Sequence, residues 1–193
     1  YNYNYNLIDM DLYCIHLPEQ SERLENLTQC LKDKLHPSID VKINIVDAVR
    51  NKVKPSVGCA RSHQKIIQWA NGKRLDEIIV VEDDVQMNDN FYKIYNNAYN
   101  DLPDDWDILV GGVSWVNSRD TRRISPNLVQ LGDFSATHFM IYRKSSYKRI
   151  LKWNGGCNID RYIGRLAKSG VLNVYCATPF IATQFNGYST IRK

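Results

Sequence analysis

The apolar run Ile78-Ile79-Val80-Val81 leads directly into three consecutive carboxylates, Glu82-Asp83-Asp84. The run reads as a strand, and an acidic cluster at its end in place of a neutral turn is hard to explain as fold maintenance. Three adjacent acids at the C-terminal end of that strand repel one another unless water or a cation compensates them. One segment therefore limits both the architecture and the chemistry.

The flanking sequence repeats the theme. Asp11–Leu17 reads as a strand, and from Ser21, a suitable N-cap, Leu24, Leu27, Leu31 and Leu35 fall at helical spacing until Pro37 closes the unit. Val41–Val49 reads as a second strand, Gly58–Ala70 as a helix with Gly72 just past its end, and Glu77–Asp84 as the third strand. This alternation predicts parallel strands joined by right-handed crossovers, with ligands outside the carboxyl ends of the strands. The acidic triplet stands at that end.

Beyond it, Asn90–Asn100 predicts a helix and Trp106–Gly112 a buried strand ending in paired glycines. Val113–Gly132 carries Arg119, Arg122 and Arg123 without periodicity and reads as a long loop or a short edge hairpin. Phe134–Tyr142 returns to strand character, and Ser145–Leu151 and Ile159–Ala167 read as short helices. Val171–Thr183 is strand-like but interrupted by Pro179, which predicts an edge strand or two short pieces.

A chain of 193 residues supports one domain with a full core. Its net charge of +4 is spread without a basic block, which argues against a nucleic-acid partner but suits a polyanionic small molecule. No apolar stretch approaches the roughly 20 residues of a membrane span. The opening Tyr-Asn repeat without Met leads to the expectation of a domain excised from a larger protein, and a cytoplasmic or membrane-peripheral location is expected. The cysteines at 14, 30, 59, 157 and 176 form no Cys-x-x-Cys pair and read as small buried hydrophobes in a reducing compartment.

Glu82-Asp83-Asp84 reads either as solvated strand-end acids or as a site where one carboxylate binds Mn²⁺ or Mg²⁺ and a neighbour holds ribose hydroxyls. On an extended backbone Glu82 and Asp84 point one way and Asp83 the other, and Asp84 is the main candidate metal ligand, with Asp83 beside it. Cys59, His63, Ile66 and Ala70 share one helical face, so periodicity favours a buried core role for His63. Ser62 and His63 do not form a hydrolase pair, because neighbours on a helix diverge and no Gly-x-Ser-x-Gly elbow exists.

Taken in order, Leu17, Ser21-Glu22-Arg23, Val46-Asp47-Ala48-Val49, Gly58-Cys59-Ala60-Arg61-Ser62-His63, Val80-Val81-Glu82-Asp83-Asp84 and Asp105-Trp106-Asp107 resemble glycosyltransferase family 25. That family groups bacterial lipooligosaccharide galactosyltransferases with collagen hydroxylysine galactosyltransferases. Thr137-His138 through Tyr142, Asn158 through Arg161, and Thr183-Gln184 through Gly187-Tyr188-Ser189 resemble its later pattern more loosely.

The resemblance implies a GT-A type fold and inverting transfer of a hexose from UDP-galactose or UDP-glucose to a hydroxyl of a glycan or collagen-like acceptor. It implies that the acidic triplet replaces the Asp-x-Asp motif holding Mn²⁺ and the sugar nucleotide, and it assigns Ser62, His63, Glu82 and Asp83 to the donor site. Asp160 is then the candidate base, competing with a plain helix-cap role, with Asp107 and Asp133 as fallbacks. Arg23 is a candidate for the diphosphate, Asp47 and Ala48 for the uracil, and Arg192-Lys193 for a basic tail over the diphosphate. Val113–Gly132 is where acceptor contacts are expected. The Thr183-Gln184 tail departs from the histidine and acidic residues of collagen-type members, so the second protein ligand to the metal is open. Two rivals remain at this point: a sugar-phosphate nucleotidyltransferase, disfavoured by His16-Leu17-Pro18-Glu19-Gln20 where a Gly-rich loop belongs, and a non-catalytic sugar-nucleotide or glycan-binding domain.

Overall fold

A computed structural model describes residues 8–34 and 39–185. Its frame is an eight-stranded sheet. The first half of the chain runs β1 (Ile8–His16), α1 (Ser21–Lys34), β2 (Ile39–Asp47), α2 (Pro55–Lys73) and β3 (Glu77–Glu82). A short β4 (Val85–Met87), α3 (Phe91–Asn100), β5 (Ile108–Val110) and β6 (Trp115–Val116) follow. The second half contains β7 (Arg122–Ser125), β8 (Leu128–Leu131), β9 (Phe134–Ser135), β10 (Phe139–Arg143), α4 (Lys144–Ile150), α5 (Ile159–Lys168), β11 (Val174–Ala177) and β12 (Ala182–Gln184).

The sheet order is β2-β1-β3-β10-β5-β11-β8-β7. β1 lies parallel to both β2 and β3, and β5 parallel to β11, whereas β10 and β8 run against their neighbours. Most strands thus share one direction, and β10 brings its N-terminal end beside the C-terminal end of β3.

The apolar run of β3 is continuous because both of its faces are covered. Ile79 and Val81 join Leu27 and Leu31 of α1 and Phe91, Ile94 and Ala98 of α3 in one core. Ile78 and Val80 join Ala60, Ile66, Ile67 and Ala70 of α2, with Tyr147 of α4 and Ile163 of α5, in the other. Burying apolar surface at about 25 cal/mol per Å² in two layers is what holds helices on both sides of one sheet.

Several boundaries differ from the sequence expectation. Helix α2 begins at Pro55, not Gly58, because proline suits a first helical turn and the Asn51 side chain accepts the Val53 and Lys54 amides, 3.1 and 2.8 Å away. The same helix runs through Gly72 and ends at Arg74, which takes the left-handed conformation at φ 59°. Strand β3 stops at Glu82, and Asp83-Asp84 form a turn. Phe134–Tyr142 is two strands, separated near Ala136 (φ 134°). Val113–Gly132 contains the β7–β8 hairpin at the sheet edge, and Val171–Thr183 is two pieces, of which β11 is internal to the sheet.

All five cysteines carry free thiols, but only Cys14 and Cys176 are buried, so the reading of all five as buried hydrophobes fails for Cys30, Cys59 and Cys157. No helix among the described residues is long and apolar enough to cross a membrane. Leu35, Pro37, Gly187-Tyr188-Ser189 and Arg192-Lys193 lie outside the described residues.

Candidate active site

The carboxyl ends of β1, β2 and β3 open into a cleft of about 340 Å³. Arg23 of α1, Ala48 to Lys52 after β2, Cys59 and Ser62 of α2, the three acids and Gln184 of β12 line it. A second cleft of about 170 Å³ adjoins it, sharing Cys59, Glu82 and Gln184, and contains Thr137 and Asp160.

Strand alternation sets the first two acids. Glu82 continues the Ile78–Val80 side and faces α2, where its Oε1 accepts a 2.5 Å hydrogen bond from Thr137 and lies 3.6 Å from both Cys59 Sγ and His63 Nε2. Asp83 continues the opposite side and faces α1. Its carboxylate is 7% exposed, with Oδ2 against His16 Nδ1 at 2.9 Å and the Leu17 amide at 3.3 Å, and Oδ1 against Arg23 at 3.4 Å. Alternation then ends with the strand. The turn sends Asp84 toward Arg23 (3.8 Å) and Gln184, not back toward Glu82's side, so the expected pairing of Glu82 with Asp84 is not what the fold makes.

The electrostatics differ accordingly. Burial pushes the Asp84 carboxyl up to about 6, reinforced by Glu82 and Asp83 and opposed by Gln184 and Arg23. Its Oδ1 is buried with no hydrogen-bond partner. Burial also pushes Glu82 up, but contact with His63 and the Thr137 hydroxyl outweighs it and holds that carboxyl below the usual range. An ionised Asp84 with an orphaned oxygen, on a residue that lines the cleft, is what a hard divalent ion would complete, so the donor set fits Mn²⁺ or Mg²⁺ with few protein ligands. Asp83 does not fit as well, because both of its oxygens are already bonded.

The Gly58-Cys59-x-x-Ser62-His63 segment acts in three ways. A Cβ at Gly58 would sit 2.4 Å from the Val49 carbonyl oxygen, so glycine lets the loop after β2 press against α2. Ser62 accepts the Val49 amide at 2.8 Å and donates to the Gly58 carbonyl at 2.9 Å, fixing that loop as the cleft wall. His63 is fully buried behind Glu82, with Nδ1 3.0 Å from the Tyr142 hydroxyl, and does not line the cleft. Asp47 is also outside the lining; its carbonyl accepts from Lys65, while Ala48 does line the cleft.

Asp160 sits in the first turn of α5, where its oxygens accept the Arg161 amide at 2.7 Å and the Ala136 amide at 3.2 Å. Burial raises its carboxyl above the usual range. The fallbacks are engaged elsewhere. Asp107 precedes β5, away from the clefts, and accepts from Ser145 and the Asn173 amide, while Asp133 pairs with Arg161 at 2.8 Å. From Val113–Gly132, Ser114 lines the second cleft.

Sequence reasoning missed Thr137, Gln184 and the Arg50–Glu19 ion pair as site features. Thr137 and Gln184 lie in segments whose pattern had been noted, yet only the antiparallel β10 and the close passage of β12 over Gly111-Gly112 bring them to the acids. A Cβ at Gly112 would lie 2.1 Å from the Ala182 carbonyl oxygen.

A mixed α/β/α sandwich with mostly co-directional strands and paired clefts at their carboxyl ends is a GT-A type glycosyltransferase architecture. Mouse xyloside xylosyltransferase 1 in its apo form superimposes with a TM-score of 0.50 at 10% identity, over 86% of this chain and 84% of that one. A mutant of Drosophila beta-1,4-galactosyltransferase 7, solved with manganese, UDP-Gal and xylobiose, gives 0.46 at 16% identity, over 93% and 71%. Residues 50–159 match glycosyltransferase family 25, described as LPS biosynthesis protein, and the chain belongs to that family. No curated protein matches it.

Proposed function

We propose that this chain transfers a hexose, galactose or glucose, from a UDP-sugar to a hydroxyl of a glycan or collagen-like acceptor, with metal dependence and inversion at the anomeric carbon. The observation that carries the reading is the buried, unpartnered Oδ1 of Asp84, a residue that lines a cleft large enough for a nucleotide. A bound Mn²⁺ or Mg²⁺ would supply Lewis-acid compensation for the negative charge on the departing diphosphate.

The chain's own residues do the rest. Asp84 is the metal ligand, with Gln184 holding its other oxygen at 3.0 Å. Asp83 positions Arg23, whose charge faces the diphosphate side of the cleft. Ala48 and the Ser62-anchored loop at Val49 wall the nucleoside. Glu82 separates the donor cleft from the smaller one, where Asp160 takes the proton from the acceptor hydroxyl. Its raised pKa brings it nearer the working range of a general base.

The test is a panel of UDP-sugars assayed for Mn²⁺-dependent hydrolysis and transfer, with Asp84→Ala as control. Turnover of one donor, lost in a folded Asp84→Ala, supports the reading. Undiminished turnover in that variant, or a flat panel with wild type, overturns it.

A further inference from the structure

Behind the three acids lies a second group of metal-ligating atoms. Cys59 Sγ, His63 Nε2 and a Glu82 carboxylate oxygen all lie within 4.8 Å of one another. Cys59 and His63 are four residues apart on α2, so both project from one helical face toward the end of β3. We propose that these three residues form a Zn²⁺ site, separate from the Asp84 position and selective for a softer ion.

Four observations point there. The separations suit the ion: tetrahedral zinc with a thiolate, an imidazole and a carboxylate requires S···O of about 3.6 Å and N···O of about 3.4 Å, and the structure has 3.6 Å for each. His63 Nε2 is fully buried and has no hydrogen-bond partner, although it is aimed at Glu82. The outer contacts match those that orient zinc ligands: the Tyr142 hydroxyl lies 3.0 Å from His63 Nδ1, and Thr137 donates to the Glu82 carboxylate at 2.5 Å. The Tyr142 hydroxyl can accept the Nδ1 proton, and that tautomer leaves Nε2 the lone pair toward Glu82 that a zinc ligand requires. Finally, Cys59 and Glu82 line both clefts, which gives an entry path and leaves a fourth coordination position for water.

The ligand set also decides the metal. A thiolate with an imidazole favours zinc over the hard ions suited to Asp84, whose surroundings offer only oxygen and an amide. Binding converts the Cys59 thiol to thiolate and releases its proton to solvent. The site is independent of the transferase reading, since it asks nothing of a sugar nucleotide.

Two measurements on the full chain test it. After chelator treatment, Zn²⁺ loading and desalting, mass spectrometry of the metal should find close to one zinc per chain, retained in excess Mn²⁺ and reduced at least tenfold in Cys59→Ser. Loading with Co²⁺ should produce a near-ultraviolet thiolate-to-cobalt charge-transfer band that Cys59→Ser and His63→Gln abolish, while Cys157→Ser and Asp84→Asn retain it. Should His63→Gln fail to fold, protection of Cys59 from alkylation by Zn²⁺ in wild type replaces that arm. Absence of the band in wild type, zinc content unchanged in Cys59→Ser, or alkylation of Cys59 unaffected by Zn²⁺ overturns the proposal and leaves the cluster as an imidazole–carboxylate contact.

Discussion

The side-chain amide of Gln184 donates a 3.0 Å hydrogen bond to Oδ2 of Asp84, while Oδ1 of the same carboxylate is buried with no partner. Half of this acid is satisfied by the protein and half is left for something else. That asymmetry makes Asp84 costly to the fold and separates it from its two neighbours.

Asp84→Asn should stabilise the protein while abolishing donor turnover. The folded-state pKa is raised to about 6 from 3.8, so the ionised group destabilises the fold above that pH, and the penalty disappears as pH falls from about 6 toward the unfolded value. Removing it should add roughly 1–3 kcal/mol near pH 7. Denaturant unfolding of both proteins, without metal, checks the sign.

Asp83→Ala should do the opposite. Its buried carboxylate holds His16, the Leu17 amide and Arg23 together, and leaving those groups without their acceptor should cost about 3 kcal/mol. A thermal melt reads the loss directly, and stability equal to wild type would remove Asp83 from the anchoring role.

Asp160→Asn should leave UDP affinity nearly unchanged but lower kcat by roughly 10²–10⁴ if the carboxylate is the base. Asparagine keeps one acceptor oxygen for the Arg161 amide and turns a donor toward the Ala136 amide, so a role confined to capping α5 predicts lower stability with near-normal kcat. Transfer kinetics with the donor identified by the panel distinguish the two.

Gly58→Ala should raise the donor KM. Its Cβ meets the Val49 carbonyl at 2.4 Å, backbone against backbone, so the cleft wall must move, at a cost of about 1–3 kcal/mol. Ser62→Ala leaves the Val49 amide without its acceptor and should weaken the same wall without the steric clash. Calorimetry with UDP measures both.

Stability should fall as pH drops through about 6.5 and below, partly through His138. Burial lowers its pKa, so the unfolded chain takes up a proton there before the folded chain does. The destabilisation sets in as pH drops through the unfolded value and grows toward the folded one. His138→Asn should flatten that part of the melting-temperature profile, and an unchanged slope would remove His138 from it.

Local pattern carried the strands and helices that repeat regularly. The run Ile78–Val81 marked a strand, and the two cores on either side of β3 explain why it contains no polar residue. Boundaries were less legible where side chains beyond the repeat decide them: Asn51 capping and Pro55 start α2 before its periodic face begins, and Arg74 ends it after Gly72. The β7–β8 hairpin was ambiguous because its residues are half exposed and pair with β11, far away in sequence.

The layered α/β plan and the acidic cluster at the carboxyl end of a central strand are legible along the chain, because both follow from contacts local to one strand or one helix. Period two along β3 also determined that Glu82 and Asp83 face opposite helices. What each acid meets depends on segments brought together by folding. Asp84 escapes the alternation because the strand ends one residue before Asp83, and its partner Gln184 arrives from 100 residues away through the close passage of β12 over Gly112. Likewise His63 reads as a core residue along its own helix, and becomes chemically informative only once β3 sets Glu82 opposite its unpartnered nitrogen. Distances of that kind depend on which strands lie side by side, and no local periodicity encodes them.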